Sequence, residues 1–507
     1  MAERVGAAEL EARLREGLEG RRFLVVSNRE PYEHRWSDEV GELRIVRPAG
    51  GLTSALDPVL QAVGGTWIAW GSGEADATVV DDHDRVGVPP EEPRYTLRRI
   101  WLSHHDIHGY YLGYANQFLW PLCHLRPDLT RVRARYWERY RRVNRRFATA
   151  VLEESEGERA AVWFHDYHLA LAPEFVRARR PDFTLAHFWH IPWPPLDIFR
   201  FAPQGPYLLR GLLANDLLGF HLPRYTENFL ECARAVLGAE IDPAAGTATY
   251  LGHTCRVGAF PISIDVDAYR AAADAPGAAE QMARLRQRYA PRGEILGIGV
   301  DRLDYAKGLP EKFKALDFLW ERYPEFRERF TFVQIAVPSR SDIEAYDELS
   351  QRVERQVWEI NERYGTERWR PLVLLKQSVP FDRLAVLYRA ADLCFVSPLV
   401  DGMNLVAKEY VACQLERRGV LLLSRFAGAA EELEDAVLVN PYDPEDMALR
   451  LRDALQMPLE ERAVRMARLQ ERLRSIYDWM DDFFAAWADA VRGGAPVVRL
   501  RPYRAGM

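Results

Sequence analysis

The sequence is poor in the features that mark secreted, membrane and nucleic-acid-binding chains. No stretch approaches the roughly 18 consecutive apolar residues that a helix needs to cross a bilayer. Residues 1–22 alternate acids and bases without an apolar core, so neither a secretory leader nor a membrane anchor is expected. Cysteine is sparse: Cys123, Cys232, Cys255, Cys394 and Cys413 are odd in number, scattered and never in a CxxC spacing. A disulfide framework or zinc ribbon is therefore disfavoured, and reduced thiols in a cytoplasmic protein are the simpler expectation. Positive charge is not in excess, since 67 Lys+Arg face 74 Asp+Glu for a net charge of -7. That balance offers no global field for a polyphosphate backbone, and no nucleic-acid partner is expected. Internal repeats and low-complexity segments are also lacking.

What is present describes an ordinary globular chain: 507 residues, 48% hydrophobic and 28% charged. That length suits three or four average domains or two large α/β ones. Residues 7–18 carry Leu10, Leu14 and Leu18 on one helical stripe. The apolar run 23–26 then reads as a buried strand ending in Ser27-Asn28-Arg29. Pro48-Ala49-Gly50-Gly51 opens a turn before a helical pattern over 52–63. Further buried strands are expected at 161–164, 184–189, 217–220, 295–300, 331–335, 372–375, 393–396 and 420–423, many separated by helical patterns. Strands alternating with helices predict parallel sheets with right-handed crossovers. A boundary falls near Pro261-Ile262-Ser263, giving an expected first domain over 1–262 and a second over 263–480. The remainder, 481–507, is expected as a helix and loose tail packing back on the first domain. The eight arginines of 131–146 are interleaved with Tyr136, Tyr140, Val143 and Phe147 at helical spacing, which reads as a solvated helix face.

Two loops have the composition of anion sites. Asp301-Arg302-Leu303-Asp304-Tyr305-Ala306-Lys307-Gly308 follows an apolar strand and precedes a helix, where ligands of open α/β sheets gather. Its two cations near a helix N-terminus suit a diphosphate, although surface charge in a βα loop accounts for them equally well. In the second loop, Asp401-Gly402-Met403-Asn404-Leu405-Val406 again joins a strand to a helix. Its amides can face a negative or polarised group, and Asp401 and Glu409 are spaced to address one ligand from one side. The competing reading makes Asp401 a helix cap and Glu409 ordinary surface.

The two HxxH spacings, His165/His168 and His187/His190, do not read as metal sites, because a separation of three along a strand tends to oppose the side chains. His190 and Asp166 sit where strands end and read as polar groups at a cleft. His104-His105-Asp106-Ile107-His108 reads as a turn, and Asp265-Val266-Asp267 as structural. Arg29, Tyr111, Trp120 and Arg340 could together hold a phosphate monoester beside a sugar, but sequence spacing cannot bring them together. Gly297-Ile298-Gly299 lies inside a strand without a third glycine opening a helix, so the nicotinamide-dinucleotide fingerprint fails.

Taken in order, Ser27-Asn28-Arg29, Gly50-Gly51-Leu52, Asn116 with Leu119-Trp120-Pro121, His165-Asp166-Tyr167-His168, His190-Ile191-Pro192, the 302–308 loop, 401–411, 424–430 and Asn440-Pro441-Tyr442 resemble the trehalose-6-phosphate synthase family. These are retaining glycosyltransferases of the GT-B fold, an α/β class with two Rossmann-like domains whose parallel sheets face each other across a cleft. The resemblance implies a nucleoside diphosphate glucose donor, expected to be UDP-glucose, held by Gly51, Arg302, Lys307, Asp401, Glu409 and the stretch Gly402, Met403, Asn404, Leu405 and Val406. It implies a glucose 6-phosphate acceptor held by Arg29, Tyr111, Trp120 and Arg340, with Asp166 and His190 lining the reacting sugars. Asp166, His190, Arg302 and Lys307 are the implied catalytic set. No cofactor and no metal is implied; the partners are small-molecule substrates, and a homo-oligomer is admissible. Glu30-Pro31-Tyr32 is also reminiscent of glucosylglycerol-phosphate synthases, which use glycerol 3-phosphate, and Val400 stands where the family often has arginine. Ser27-Asn28 and Arg340 favour glucose 6-phosphate. A non-catalytic sugar-phosphate sensor would be marked by degenerate donor residues, and these are intact.

Overall fold

The computed structural model describes Arg13 and residues 20–492 apart from 38–40, 48–50 and 341. The helix expected over 7–18, the turn at 48–50 and the tail beyond 492 lie outside the described residues. The chain divides into two compact units, one of residues 1–262 with 477–507 and one of residues 263–476. The return to the first unit thus comes at Tyr477, a few residues before the expected 481.

In the first unit a ten-stranded sheet runs in the order Glu240–Asp242, Thr247–Tyr250, His253–Ala259, Leu217–Phe220, Thr184–Phe188, Ala160–His165, Arg22–Val26, Thr66–Trp70, Tyr95–Ile100, Arg85–Val88. The seven strands from His253–Ala259 to Tyr95–Ile100 are mutually parallel, and the outer pairings are antiparallel. The sheet is therefore mixed rather than wholly parallel. The edge strands escaped the sequence reading because they are short and half-polar, as in Arg85–Val88 and Glu240–Asp242. The central strands Ala160–His165 and Thr184–Phe188 are buried along their whole length, as strands covered on both faces must be.

The sequence around His104 forms helix rather than a turn. Ser103 and Asp106 make a reciprocal cap, Ser103 Oγ accepting from the Asp106 amide at 3.2 Å and Asp106 Oδ2 accepting from the Ser103 amide at 3.4 Å. A π-helical stretch, Ile107–Leu119, continues from it and packs on the helix Ala134–Glu154. Close approach requires glycine there: a Cβ on Gly113 would lie 2.6 Å from the Tyr136 ring.

The final helix, Ile476–Arg492, lays an aromatic face on the first sheet. The Phe483 ring centroid lies 4.9 Å from Trp163, 5.2 Å from Phe260 and 5.6 Å from Phe188. Trp479 Nε1 donates to the Phe260 carbonyl at 3.1 Å.

The second unit holds a six-stranded, all-parallel sheet in the order Leu372–Leu375, Phe330–Val337, Ile295–Arg302, Leu393–Val396, Val420–Ser424, Val437–Val439. Numbered within the unit this is 3-2-1-4-5-6, the doubly wound order that reverses between its first and fourth strands. Among the described residues no helix is long and apolar enough to cross a membrane.

Phe483→Ala should destabilise the first unit by about 3–5 kcal/mol, because it removes a fully buried aromatic from a close-packed seam. A thermal unfolding midpoint equal to that of the parent protein would contradict this docking.

Candidate functional site

Each sheet reverses its winding at one place, and several of the candidate residues lie on the loops there. Neighbouring strands that leave in opposite directions part their loops, opening a crevice at their carboxyl ends.

In the first unit the reversal lies between Arg22–Val26 and Ala160–His165. The former ends in Ser27-Asn28-Arg29, the latter in Asp166-Tyr167-His168. Ser27 Oγ donates to the Arg29 carbonyl at 2.6 Å and accepts from Trp67 Nε1 at 2.8 Å, which fixes the turn and leaves Arg29 exposed. Asn28 Oδ1 accepts from the Tyr110 hydroxyl at 2.8 Å, tying this turn to the residue before Tyr111. The Tyr111 ring stacks on His168 with centroids 5.8 Å apart, and the Trp70 ring lies 5.6 Å from that of Tyr111. Trp120 is buried, stacked on His124 at 4.0 Å and 5.8 Å from Tyr167. Asn116 joins the group by accepting from the Tyr167 hydroxyl at 2.8 Å and donating to the Tyr111 carbonyl at 2.8 Å. Gly51 begins the helix Gly51–Val63.

Asp166 has φ 70° and ψ 172°, a region that a residue with a Cβ enters only when its surroundings force it. Its Oδ1 accepts from the Tyr167 amide at 2.9 Å and the His190 amide at 3.2 Å, so Asp166 and His190 are joined directly. The His190 carbonyl accepts from His221 Nε2 at 3.0 Å, and its ring Nε2 lies 3.1 Å from His165 Nδ1. Burial lowers the pKa of His190 well below the usual imidazole range, and the nearby His165 imidazole adds to this. His190 is thus a neutral hydrogen-bonding group. His187, whose Nε2 donates to the Asp166 carbonyl at 3.1 Å, is lowered by burial to about 3.

In the second unit the reversal lies between Ile295–Arg302 and Leu393–Val396. Their loops carry Arg302, Lys307, Asp401 and the stretch from Gly402. Lys307 Nζ donates to Asp401 Oδ2 at 2.5 Å, and Asn404 Nδ2 donates to the same oxygen at 3.0 Å. The Leu399 amide donates to the Ala306 carbonyl at 2.7 Å, so backbone also joins the loops. Gly308 takes φ +64°, and a Cβ there would lie 2.3 Å from the Ser397 carbonyl oxygen. Only glycine lets the two loops approach this closely.

Asp401 does not cap the following helix and does not lie on it. The helix runs Leu405–Cys413, and Asn404, at φ 79°, is its cap, accepting from the Ala407 amide at 3.3 Å. Helix geometry leaves the Leu405 and Val406 amides without intrahelical partners. The preceding turn is stitched to the next loop: the Gly428 amide donates to the Asp401 carbonyl at 3.2 Å and the Ala429 amide to the Met403 carbonyl at 2.7 Å. Glu409 faces a phenolic wall, accepting from the Tyr388 hydroxyl at 2.9 Å, and burial raises its pKa.

Arg340 belongs to this unit, whereas Arg29, Tyr111 and Trp120 belong to the first. It follows the strand Phe330–Val337, and its guanidinium donates to Asp304 Oδ2 at 3.2 Å and to the Tyr346 hydroxyl at 2.5 Å. Asp304 also lies 3.9 Å from the Arg302 guanidinium, so one buried carboxylate serves both arginines. Sequence reading quoted Asp304 but gave it no role, and it missed Tyr346; the Arg-x-Asp spacing was the available signal for Asp304, and Tyr346 had none. Among the described residues no group of three or more His, Cys, Asp or Glu is arranged to hold a metal ion.

The model of glycosyltransferase family 20 matches residues 21–489. The trehalose-6-phosphate synthase of Mycolicibacterium smegmatis is 40% identical over 486 residues, 92% of either chain. A solved E. coli trehalose-6-phosphate structure bound with UDP-2-fluoro glucose superposes with a TM-score of 0.81 at 35% identity, covering 92% of this chain and 99% of that one. An α,α-trehalose-phosphate synthase (UDP-forming) from Burkholderia xenovorans, in complex with glucose-6-phosphate, gives 0.81 at 33% identity with the same coverage.

The buried imidazoles make stability depend on pH. The unfolded chain protonates its histidines below about pH 6.5, whereas burial keeps folded His165, His187 and His190 neutral to much lower pH. The unfolded state then binds more protons, so stability falls as pH drops from 6.5, by at most about 1.4 kcal/mol per pH unit for each histidine. His187→Gln should flatten the fall in melting temperature between pH 7 and 5 by about one histidine's share. Parallel curves for the two proteins would contradict the assignment.

Proposed function

Because the chain belongs to glycosyltransferase family 20, we propose that it moves glucose from UDP-glucose to glucose 6-phosphate, with retention at the anomeric carbon, giving α,α-trehalose 6-phosphate and UDP. The observation that carries this reading is the junction of the Arg302–Lys307 and Asp401–Val406 loops at the reversal of the second sheet, with Lys307 and Asp401 2.5 Å apart. The names of the relatives support both substrates.

In this reading Arg302, Lys307 and the Leu405 and Val406 amides hold the donor diphosphate. Asp401, oriented by Lys307 and Asn404, accepts from sugar hydroxyls, and Glu409 addresses the ribose. Gly51 admits the donor closely at the start of its helix. Arg29, Tyr111, Trp120 and Arg340 bind the acceptor phosphate and sugar. The bond from the anomeric carbon to the diphosphate oxygen breaks as the acceptor's anomeric hydroxyl bonds to the same carbon from the same face. The hydroxyl proton passes to the departing diphosphate, whose growing charge Arg302 and Lys307 stabilise by preorganised electrostatics. Asp166 and neutral His190 hold sugar hydroxyls rather than form a covalent bond. Two fixed cations beside the diphosphate support chemistry without metal or cofactor. Five buried thiols without disulfide partners support a cytoplasmic setting.

Incubation with UDP-glucose and glucose 6-phosphate should yield trehalose 6-phosphate, identified by NMR, with stoichiometric UDP; product only with glycerol 3-phosphate would overturn the acceptor assignment. Lys307→Ala should lower kcat by about 100-fold or more, as loss of one preorganised donor does. Arg340→Ala should instead raise the KM for glucose 6-phosphate by roughly tenfold, the weight of one charge-assisted phosphate contact; an unchanged KM would remove Arg340 from the acceptor site.

A further inference from the structure

The arginines of the helix Ala134–Glu154 do not form a plain convex face. Part of that helix and the end of the strand Tyr95–Ile100, with Trp101, bound a cavity of about 700 Å³ in the first unit. None of the residues assigned above to donor or acceptor lines it. Six of its lining side chains are arginines and three are carboxylates, Asp84, Glu138 and Glu153.

The pairing within the cavity is uneven. Arg99 is buried between Glu30 and Asp76, each at 2.9 Å, with Asp76 as its charged partner. Arg98 is held by Asp84 at 2.6 Å, Glu154 at 3.3 Å and Glu153 at 3.5 Å. Arg146 shares Asp106 with Arg139, at 3.3 and 3.1 Å. Among the described residues, Arg141, Arg142 and Arg145 have no carboxylate within ion-pair distance, and Arg145 lies over the Phe175 ring at 5.2 Å. Among the described residues, three guanidinium groups without an ion pair therefore stand against one such carboxylate, Glu138, with Arg142 also feeling the Asp106 charge. On a convex helix water would solvate them separately; around a concavity their fields add and attract a counter-anion.

We propose that this cavity binds a compact polyphosphate, either inorganic or the phosphate tail of a nucleotide. Guanidinium forks match phosphate oxygens two at a time. The step from Arg142 to Arg146 is about 6 Å along the helix, a distance over which one short phosphate chain can meet several of them. A cavity of this size suits a small ligand, and a chain with net charge -7 offers no extended track for a nucleic acid.

The test is calorimetric titration of the full chain with tripolyphosphate, ATP and orthophosphate, with saturating UDP present to occupy the donor site. Tripolyphosphate should bind at one saturable site. The Arg142→Gln/Arg145→Gln double variant should weaken it by at least about tenfold, the sum of two exposed charge contacts, while leaving transferase turnover unchanged. Equal affinities for tripolyphosphate and ATP assign recognition to the phosphate chain, and tighter ATP binding assigns it to a nucleotide. Lack of saturable binding, indifference to the double substitution, or orthophosphate binding as tightly as tripolyphosphate would each overturn the proposal. Should the double variant fold poorly, hydrogen exchange on the parent protein decides: tripolyphosphate should slow exchange along 134–154, and unchanged exchange counts against the site.

Discussion

One ion pair ties the second unit's candidate site together. Lys307 and Asp401 lie 94 residues apart in the chain, and 2.5 Å separates their charged atoms. They meet because Ile295–Arg302 and Leu393–Val396 are neighbours at the one point where the sheet changes its direction of winding. The left-handed Gly308, the Leu399 to Ala306 hydrogen bond and the Asn404 cap all serve this approach of two loops. A side chain on Gly308 would push them apart, and a helix continued back to Asp401 would turn its carboxylate away.

The two units use burial in different ways. Around Asp166 and His190 in the first, burial strips charge from a group of imidazoles and leaves neutral donors and acceptors whose positions are set by backbone partners. Around Asp304 in the second, one buried carboxylate keeps charge in place by serving Arg302 and Arg340 together. The chemistry proposed for each fits its environment. Sugar hydroxyls need directional neutral partners, while a departing diphosphate needs positive charge that does not have to reorganise.

Much of the architecture was legible because it rests on local signals. Continuous apolar runs such as Phe23-Leu24-Val25-Val26 can be satisfied only inside a covered sheet, and the strands expected from them are present. The short edge strands were not legible: Glu240–Asp242 and Arg85–Val88 are held by pairing with a neighbour, which leaves little trace in their own composition. The helix that follows Ser103 was read as a turn because its histidines and glycines have weak helical preference. A Ser103–Asp106 cap and packing against Tyr136 outweigh that preference.

The sequence by itself determined the alternation of strands and helices, the loops that end in charged residues and the family those loops resemble, since each depends on residues close together in the chain. Tertiary structure alone decided which of those residues act together. It joined Lys307 to Asp401 and Asp166 to His190, gathered Arg302 and Arg340 around Asp304, and set part of an arginine-rich helix along a cavity. Such pairings depend on strand order and on which groups lose water, and spacing along a chain encodes neither.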